Sequence, residues 1–272
     1  MDMDNSTLSL CIIVCDLDKD LLPRALQSVS RQTVPPDEIV IVSSGLPPEQ
    51  LSHAKDPYLV IAGKSVPLHS VNSTQRVDTA SARNIGLATA QKDIVQFFDA
   101  DDYMHPHFLS VVKGIFSQTA CDFVMPTYIL GTAQHLPISD SEKDRIMEEV
   151  TSSETNSSHL FDWKNIIDVT WNKEKDHVEG SYPESAADIS ANYPVADGPL
   201  AVRAHLVREV RYLRWCHQDK EMIRHLLCKD QRKGKSYNFP LMTYYPAGLT
   251  GRGHLKHGMS SLENALASFA TS

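Results

Sequence analysis

The stretch Ile94–Asp102, IVQFFDADD, is an apolar run of strand character that stops abruptly in three acids. The acids are Asp99, Asp101 and Asp102. An open α/β sheet binds its ligand at the carboxyl ends of its strands. We therefore expect these acids to lie at the ligand-binding edge of such a sheet, where Asp99 and Asp101 can offer two carboxylates from one face of a short turn.

Three carboxylates this close repel one another, and their pKa values rise unless a cation or hydrogen bonds compensate the charge. A hard divalent ion that also binds the phosphates of a substrate is the natural compensation. Taken alone, the same acids equally predict a solvated turn that caps the helix expected from Pro106 onward. The rest of the sequence is needed to choose between the two interpretations.

Strand-like and helix-like segments alternate along the first half of the chain. Strands are predicted at Leu8–Cys15, Glu38–Val42, Tyr58–Ala62, Asp93–Phe98 and Asp122–Leu130, and helices at Asp20–Gln32, Ser81–Ala90 and Pro106–Gln118. This alternation predicts a mostly parallel sheet with helices on both faces.

Residues 131–194 have a different composition. They are polar and rich in Ser, Thr and Asn, which predicts a variable surface loop. Four apolar residues in this region have a spacing that favours the buried stripe of a helix, namely Leu160, Trp163, Ile166 and Ile167.

Length and charge narrow the class of protein. At 272 residues the chain can bury a sizeable core, and it fits one α/β domain with or without a smaller appendage. Its content of 42% apolar and 22% charged residues is typical of a soluble globular protein. A net charge of −8 argues against nucleic acid as the main partner, because such binding needs a basic surface.

The amino terminus and the cysteines bear on the cellular compartment. The start, MDMDN, is acidic and lacks the basic and apolar layout of a signal peptide. No apolar run approaches the roughly 20 residues that cross a bilayer. Cys11 and Cys15 are too far apart along a strand for an easy disulfide. We expect reduced thiols and a cytoplasmic location, with peripheral contact with a membrane left open.

Four pieces of sequence, in order, carry a family resemblance. They are CIIVC at 11–15, SVSRQT at 28–33, EIVIV at 38–42 and ARNIG at 82–86, and the three acids follow them. In order, spacing and chemistry this series resembles the family 2 glycosyltransferases, which are nucleotide-sugar enzymes of the GT-A fold. The resemblance implies a Rossmann-like, mostly parallel sheet flanked by helices. It also implies a nucleotide-sugar-binding half at 1–130 and an acceptor-binding, catalytic half at 131–272.

The same resemblance assigns the acids to a divalent metal, Mn²⁺ or Mg²⁺, which neutralises the leaving diphosphate. Asp101 is then a direct metal ligand, and Asp99 lies near the ribose or shares the ion. Arg83 lies near the nucleotide, where its planar fork suits a phosphate. Alternatively, Arg83 pairs with Asp99 or Asp102 and holds the loop.

Recognition of the nucleotide base is implied for two loops. The resemblance places the loop that begins at Asp16 against the base. After the second strand the family usually has Asp-Asp-Gly-Ser, whereas this chain has Ser43, Ser44 and Gly45. Ser43 therefore offers a hydroxyl where an acid is expected, and a hydroxyl can both donate to and accept from a base.

In the second half, Gln218–Asp219 stands where the family often has Glu-Asp. The resemblance makes Asp219 the base that deprotonates the acceptor hydroxyl, and the alternative is that Asp219 caps the helix that follows. In the Gly-rich segment near the carboxyl terminus, Arg252 is implied to contact the diphosphate and His254 the metal. The aromatic residues of 131–194 suit a lid over the acceptor.

These assignments predict an inverting, metal-dependent glycosyltransferase. It would transfer a sugar from a nucleotide-diphosphate sugar, UDP-linked in most of the family, to a hydroxyl of a glycan or other acceptor, as in polysaccharide synthesis. One alternative is a catalytically inactive module that binds nucleotide sugars. A second is a nucleotidyltransferase, for which we would expect a Gly-rich, Lys- or Arg-containing signature after the first strand, where this chain has DLDKDL at 16–21.

Overall fold

The computed structural model describes residues 6–16, 18–47, 51, 56–130, 166–181, 195, 198–209, 212 and 218–244. The strands in these ranges are β1 (Leu8–Cys15), β2 (Glu38–Ser44), β3 (Tyr58–Ile61), β4 (Lys64–Ser73), β5 (Ile94–Asp99), β6 (Tyr103–Met104), β7 (Phe123–Leu130), β8 (Ile166–Asn172), β9 (His177–Ser181), β10 (Ala201–Arg203) and β11 (Gly234–Tyr244). The helices are α1 (Leu22–Ser30), α2 (Thr79–Thr89), α3 (Phe108–Gln118), α4 (Ala204–Glu209) and α5 (Gln218–Arg224). A 3-10 turn at Lys19–Leu21 precedes α1, and a π-helical turn at His225–Lys229 follows α5.

The first half of the chain forms a parallel sheet in the order β4-β2-β1-β5. β1 and β2 are buried along almost their whole length, which explains why both read as nearly continuous apolar runs. Since these four strands are parallel, their carboxyl ends meet at one edge of the sheet. The predicted α/β class is confirmed, and β3 adds an antiparallel strand outside β4.

The second half extends the same sheet with mixed pairing. β10 lies antiparallel between β5 and β7, and β11 runs parallel to β7 but antiparallel to β8 and β6. β8 and β9 form a hairpin. The loop predicted for 131–194 is therefore wrong over β8 and β9, where β11 supplies a pairing partner that no local pattern shows.

Two of the four apolar residues assigned to a helix stripe lie in β8 instead. Ile166 and Ile167 occupy successive strand positions, where burial alternates along β8 as a period of two requires. Leu160 and Trp163 lie outside the described residues. The pairing of Ile167 with Ser236 of β11 fixes the extended conformation.

Two hydrophobic cores cover the two faces of the sheet. Side chains alternate across β1, so that Leu10 and Ile12 join one core while Cys11 and Ile13 join the other. The first core packs against α1 and α3, and the second packs against α2, α4 and α5. Helices thus lie on both faces, as predicted. Within the described part of the chain, no helix is long and apolar enough to cross a bilayer.

A polar clamp fastens α1 to the segment that follows the acids. Just after α1, the side-chain amide of Gln32 donates to the carbonyl of His105 (2.8 Å) and accepts from the backbone N–H of Leu109 (3.0 Å). Ser28 accepts from the backbone N–H of Met104 (3.2 Å). Ser28 and Gln32 belong to the SVSRQT segment, so this part of the family pattern positions the acidic turn.

Replacing Gln32 with alanine should destabilise the protein. Gln32→Ala leaves the backbone N–H of Leu109 without the acceptor that Gln32 provides, whereas the carbonyl of His105 still accepts from the N–H of Phe108. One unsatisfied buried group costs about 1–3 kcal/mol, and we expect the free energy of unfolding, measured by urea denaturation, to fall by about that amount. Gln27→Ala is the matched control because Gln27 is an exposed glutamine of α1, the helix that precedes Gln32, and it should stay within about 0.5 kcal/mol of wild type. Equal effects of the two changes would contradict the clamp.

Candidate active site

An acidic cluster of four aspartates lies at the carboxyl ends of β1 and β5, and its members are Asp16, Asp18, Asp99 and Asp101. Burial, followed by the charges of Asp99 and Asp18, raises the pKa of Asp101 to about 7. Burial also raises the pKa of Asp18 to about 6, with smaller contributions from Asp99 and Asp16. Burial and the mutual repulsion of the carboxylates therefore both favour the neutral form of Asp101 and Asp18 in the ligand-free protein. The sequence had assigned no ligand role to Asp18, which is far from Asp101 in the chain.

Three hydrogen bonds hold the backbone of the acidic turn, which comprises residues 99–102. Arg24 of α1 donates from Nη2 to the carbonyl of Asp101. The N–H of Ala100 donates to the carbonyl of Ile13 in β1 (3.0 Å), and the N–H of Asp102 donates to the carbonyl of Asp99 (3.1 Å). Asp101 and Asp102 are both buried. The solvated turn considered as an alternative is thus not what the structure shows.

The donor atoms of the cluster fit a hard cation. Among the described residues, no three His, Cys, Asp or Glu side chains are arranged to hold a metal by themselves. Mg²⁺-like ions are usually held by one or two carboxylates together with substrate phosphates and water. Asp99 and Asp101 can supply those two carboxylates, and a cation would offset the burial and the repulsion that together raise the pKa of Asp101. His254, the expected third ligand, and Arg252 lie outside the described residues.

Arg83 lies beneath the cluster with its side chain only 1% exposed. Its Nη2 is 3.1 Å from Oδ2 of Asp99, and its Nη1 forms an ion pair with Oδ1 of Asp219. The guanidinium lies against the rings of Phe97 and Tyr212, at 5.9 Å and 5.8 Å from their centroids. Of the alternatives drawn from the sequence, the structure contains the pair with Asp99, and it adds Asp219 as a partner that the sequence did not suggest.

Asp219 is positioned by α5. It is the second residue of this helix, whose buried Met222 and Ile223 pack into the second core. A carboxylate in the first turn also interacts favourably with the helix dipole. The side chain of Asp219 remains 20% exposed, so part of this carboxylate is accessible while it contacts Arg83.

The residue after Arg83 makes a second link to the carboxyl-terminal half. The side-chain amide of Asn84 donates to the carbonyl of Tyr212 (3.0 Å) and accepts from its backbone N–H (3.0 Å). Burial raises the pKa of the Tyr212 phenol. Sequence reasoning missed both residues, although the position of Asn84 next to Arg83 in ARNIG was an available signal.

The base-side residues require one correction. Ser43 is completely buried, and its hydroxyl donates to Oδ1 of Asn72 in β4 (2.6 Å). Ser43 is therefore not accessible for the direct hydrogen bond to a base that we expected, because its side chain is buried and its hydroxyl already donates to Asn72. Partly exposed Asn72 stands in its place at the sheet edge. Asp16 follows the carboxyl end of β1 with a partly exposed side chain, and its Oδ1 lies 3.6 Å from Nε of Arg76.

The raised pKa of Asp101 predicts a pH-dependent stability. Between the unfolded value of 3.8 and the folded value of about 7, the folded protein binds more protons than the unfolded chain. Its free energy of unfolding therefore falls as pH rises through that window. Asp101→Asn stays neutral, so in EDTA its stability relative to wild type should improve from pH 4 to pH 8, by on the order of a few kcal/mol.

Thermal and urea unfolding at both pH values would measure this effect. The control is Asp56→Asn, which removes an exposed carboxylate, and its difference from wild type should be the same at both pH values. A pH-independent difference for Asp101→Asn would show that Asp101 is not protonated more readily in the folded state.

Comparison with solved structures identifies the fold. The structure of S. aureus TarS 1–349 in complex with UDP aligns with a TM-score of 0.59 and 12% identity, over 88% of this chain and 60% of that one. The complex of TarS 1–349 with UDP-GlcNAc aligns with a TM-score of 0.57 and 12% identity, over 88% and 58%. The predicted GT-A fold is confirmed by these similarities.

Sequence comparison identifies the family. An uncharacterized glycosyltransferase from Nostoc sp. is 30% identical over 139 residues, which are 51% of this chain and 39% of the relative. This chain thus matches about two fifths of the length of that relative. The model of the family described as glycosyl transferase family 2 matches residues 9–161. Since the match covers more than half of the chain, the protein belongs to glycosyl transferase family 2.

Proposed function

We propose that the protein transfers a sugar from a nucleoside-diphosphate sugar to a hydroxyl group of a glycan or other acceptor, with inversion at the anomeric carbon. The observation that carries this proposal is the position of Asp219. The fold brings this carboxylate from the second half of the chain to the acidic cluster at the end of β5, where both contact Arg83. A UDP-linked donor is supported by the UDP and UDP-GlcNAc complexes of TarS.

The donor would bind along the carboxyl edge of β4, β2, β1 and β5. We infer that the base lies beside Asp16 and Asn72, and that the diphosphate lies over the acidic turn. The Oδ1 of Asn72 is engaged by Ser43, which leaves the amide N–H groups to donate to a carbonyl of the base. Residues 1–130 would thus form the donor half and residues 131–272 the acceptor half.

Asp101 and Asp99 would hold a divalent ion, Mn²⁺ or Mg²⁺, which supplies charge neutralisation for the leaving diphosphate when bound. Arg24 keeps the Asp101 backbone in place through its carbonyl. Asp219 accepts the proton of the acceptor hydroxyl as that oxygen attacks the anomeric carbon. A single displacement from the face opposite the diphosphate inverts the configuration at that carbon.

One observation favours a second candidate, a module that binds nucleotide sugars without turning them over. Asp219 is paired with a buried guanidinium, and a carboxylate next to a positive charge is a weaker base than a free one. Gln218, which stands where the family often has Glu, also favours the non-catalytic module. Turnover of a donor distinguishes the two candidates.

Nucleotide binding should require Asp101. We expect one of UDP, GDP, CDP and dTDP, with UDP favoured, to raise the melting temperature in the presence of Mn²⁺. A ligand at 100 times its Kd stabilises by about 2.7 kcal/mol. Asp101→Ala should lose this rise, whereas Asp56→Ala should keep it. Each variant is compared with itself without nucleotide, because Asp101→Ala also changes the stability of the free protein.

No stabilisation of the wild type by any of the four nucleotides with Mn²⁺ would contradict the proposed donor site.

Turnover should require Asp219. With UDP-GlcNAc or UDP-glucose as donor, release of UDP by hydrolysis or transfer should fall by about 10²–10⁴ in Asp219→Asn, because the proton acceptor is lost. Glu221→Gln removes a carboxylate from the same helix, where Glu221 pairs with Arg224, and should leave the rate near that of wild type. Release of UDP at the wild-type rate by Asp219→Asn would exclude Asp219 as the base.

If wild type binds Mn²⁺ and UDP but releases none from either donor or from other UDP sugars, the non-catalytic module is the better description.

A further inference from the structure

One buried guanidinium stands between the two halves of the site. Arg83 contacts Asp99, which lies on the donor side at the end of β5, and Asp219, which lies on α5. The side chain of Arg83 is 1% exposed, while Asp99 and Asp219 are 31% and 20% exposed. Ligands can therefore reach the two carboxylates but cannot reach the group that joins them.

The surroundings of Arg83 fix the plane of its guanidinium. Phe97 and Tyr212 lie against it. A Cβ placed on Gly198 would lie 3.4 Å from both Nη2 of Arg83 and Oδ2 of Asp99, so the chain passes closely over the ion pair. The guanidinium is therefore enclosed, and the two carboxylates contact the same buried group.

The fork of an arginine can serve two carboxylates at once. Its separate N–H edges allow Nη2 to pair with Asp99 while Nη1 pairs with Asp219. A single positive charge is then shared between two negative ones. A cation that binds Asp99 weakens the attraction between Asp99 and Arg83, so that Arg83 interacts more strongly with Asp219. Removal of the charge of Asp219 strengthens the interaction of Arg83 with Asp99 in the same way.

Asn84 supports the same arrangement through an independent contact. Its two hydrogen bonds to the backbone of Tyr212 hold that segment against α2. Two consecutive residues of α2, Arg83 and Asn84, thus contact the second half of the chain, at Asp219 and Tyr212 respectively. Arg83 of α2 also contacts both Asp99 of the acidic turn and Asp219.

We propose that Arg83 is a positioning residue that couples the donor site to Asp219. A cation and diphosphate bound at Asp99 compete for that carboxylate and so strengthen the hold of Arg83 on Asp219, which orients the Asp219 carboxylate when the donor is present, at some cost to its strength as a base. The proposal rests on the proposed function, in which Asp99 faces the donor and Asp219 is the base. Thermodynamic linkage makes the coupling reciprocal, so Asp219 must also affect donor affinity.

The experiment measures the affinity for UDP by titration calorimetry at saturating Mn²⁺. Asp219→Asn should weaken UDP binding about tenfold, within the usual range of coupling between sites, because Arg83 then pairs with Asp99 alone and withholds it from the cation. Glu221→Gln makes the same change of charge on the same helix without touching Arg83, and should change the affinity less than about twofold. Equal effects of the two variants would overturn the proposal.

Arg83→Lys tests whether the coupling passes through Arg83. A lysine keeps the charge but offers one compact ammonium, which cannot pair with two separated carboxylates in this manner. In that background the effect of Asp219→Asn on UDP affinity should fall to that of Glu221→Gln. A role of Arg83 in folding alone would leave the effect of Asp219→Asn unchanged, and that result would also overturn the proposal.

A ligand-free measurement separates this inference from the proposed function. Asp99→Asn and Asp219→Asn are compared singly and together by urea unfolding, with Asp99→Asn and Glu221→Gln as the control pair. The double variant at Asp99 and Asp219 should lose more stability than the sum of the single losses, by about fivefold or more in the unfolding equilibrium constant, because Arg83 is then buried without a carboxylate.

If the stability losses of Asp99→Asn and Asp219→Asn are additive, the proposal that Arg83 joins the two carboxylates is overturned, whether or not UDP binds. If no nucleotide binds the wild type, the proposed function fails, and the unfolding cycle still decides whether Arg83 joins the two carboxylates.

Discussion

The arrangement of the site depends on the need to compensate one buried charge. A guanidinium removed from water is strongly destabilising unless carboxylates pair with it, and Arg83 has two, Asp99 and Asp219. Asp99 ends a central strand of the sheet, and Asp219 begins a helix of the second half. Because Arg83 contacts one carboxylate from each half, the two halves of the chain meet at this point, next to the acidic turn.

Around that point, much of the family pattern has a supporting role. Ser28 and Gln32 fasten the segment after the acids to α1, and Arg24 holds the carbonyl of Asp101. This support keeps carboxylates together in a buried position where burial and mutual repulsion raise the pKa of Asp101 and of Asp18. Such a cluster costs stability in the free protein, and perturbed carboxyl groups of this kind concentrate at functional sites.

Sequence patterns failed where a partner strand decided the conformation. β4 is largely polar and partly exposed, with little apolar alternation, yet it pairs in register with β2. β8 looked like part of a loop with a helical stripe, but its pairing with β11 makes it a strand. The pairing of β4 with β2 also places Asn72 next to the buried Ser43, whose hydroxyl donates to it. Propensity is a weak guide when pairing energy comes from residues distant in the chain.

The sequence by itself determined the parallel sheet, the acidic turn at the end of β5 and the family. Buried strands are apolar along their whole length, and the motifs that follow them consist of residues adjacent in the chain. Both can therefore be recognised from the amino-acid sequence. Only the tertiary structure decided the partners of Arg83, the burial of Ser43 and the link from Asn84 to Tyr212. Those contacts join residues far apart in the chain, and they form because packing α2 against the second half brings distant polar groups next to a buried charge and a partly buried amide.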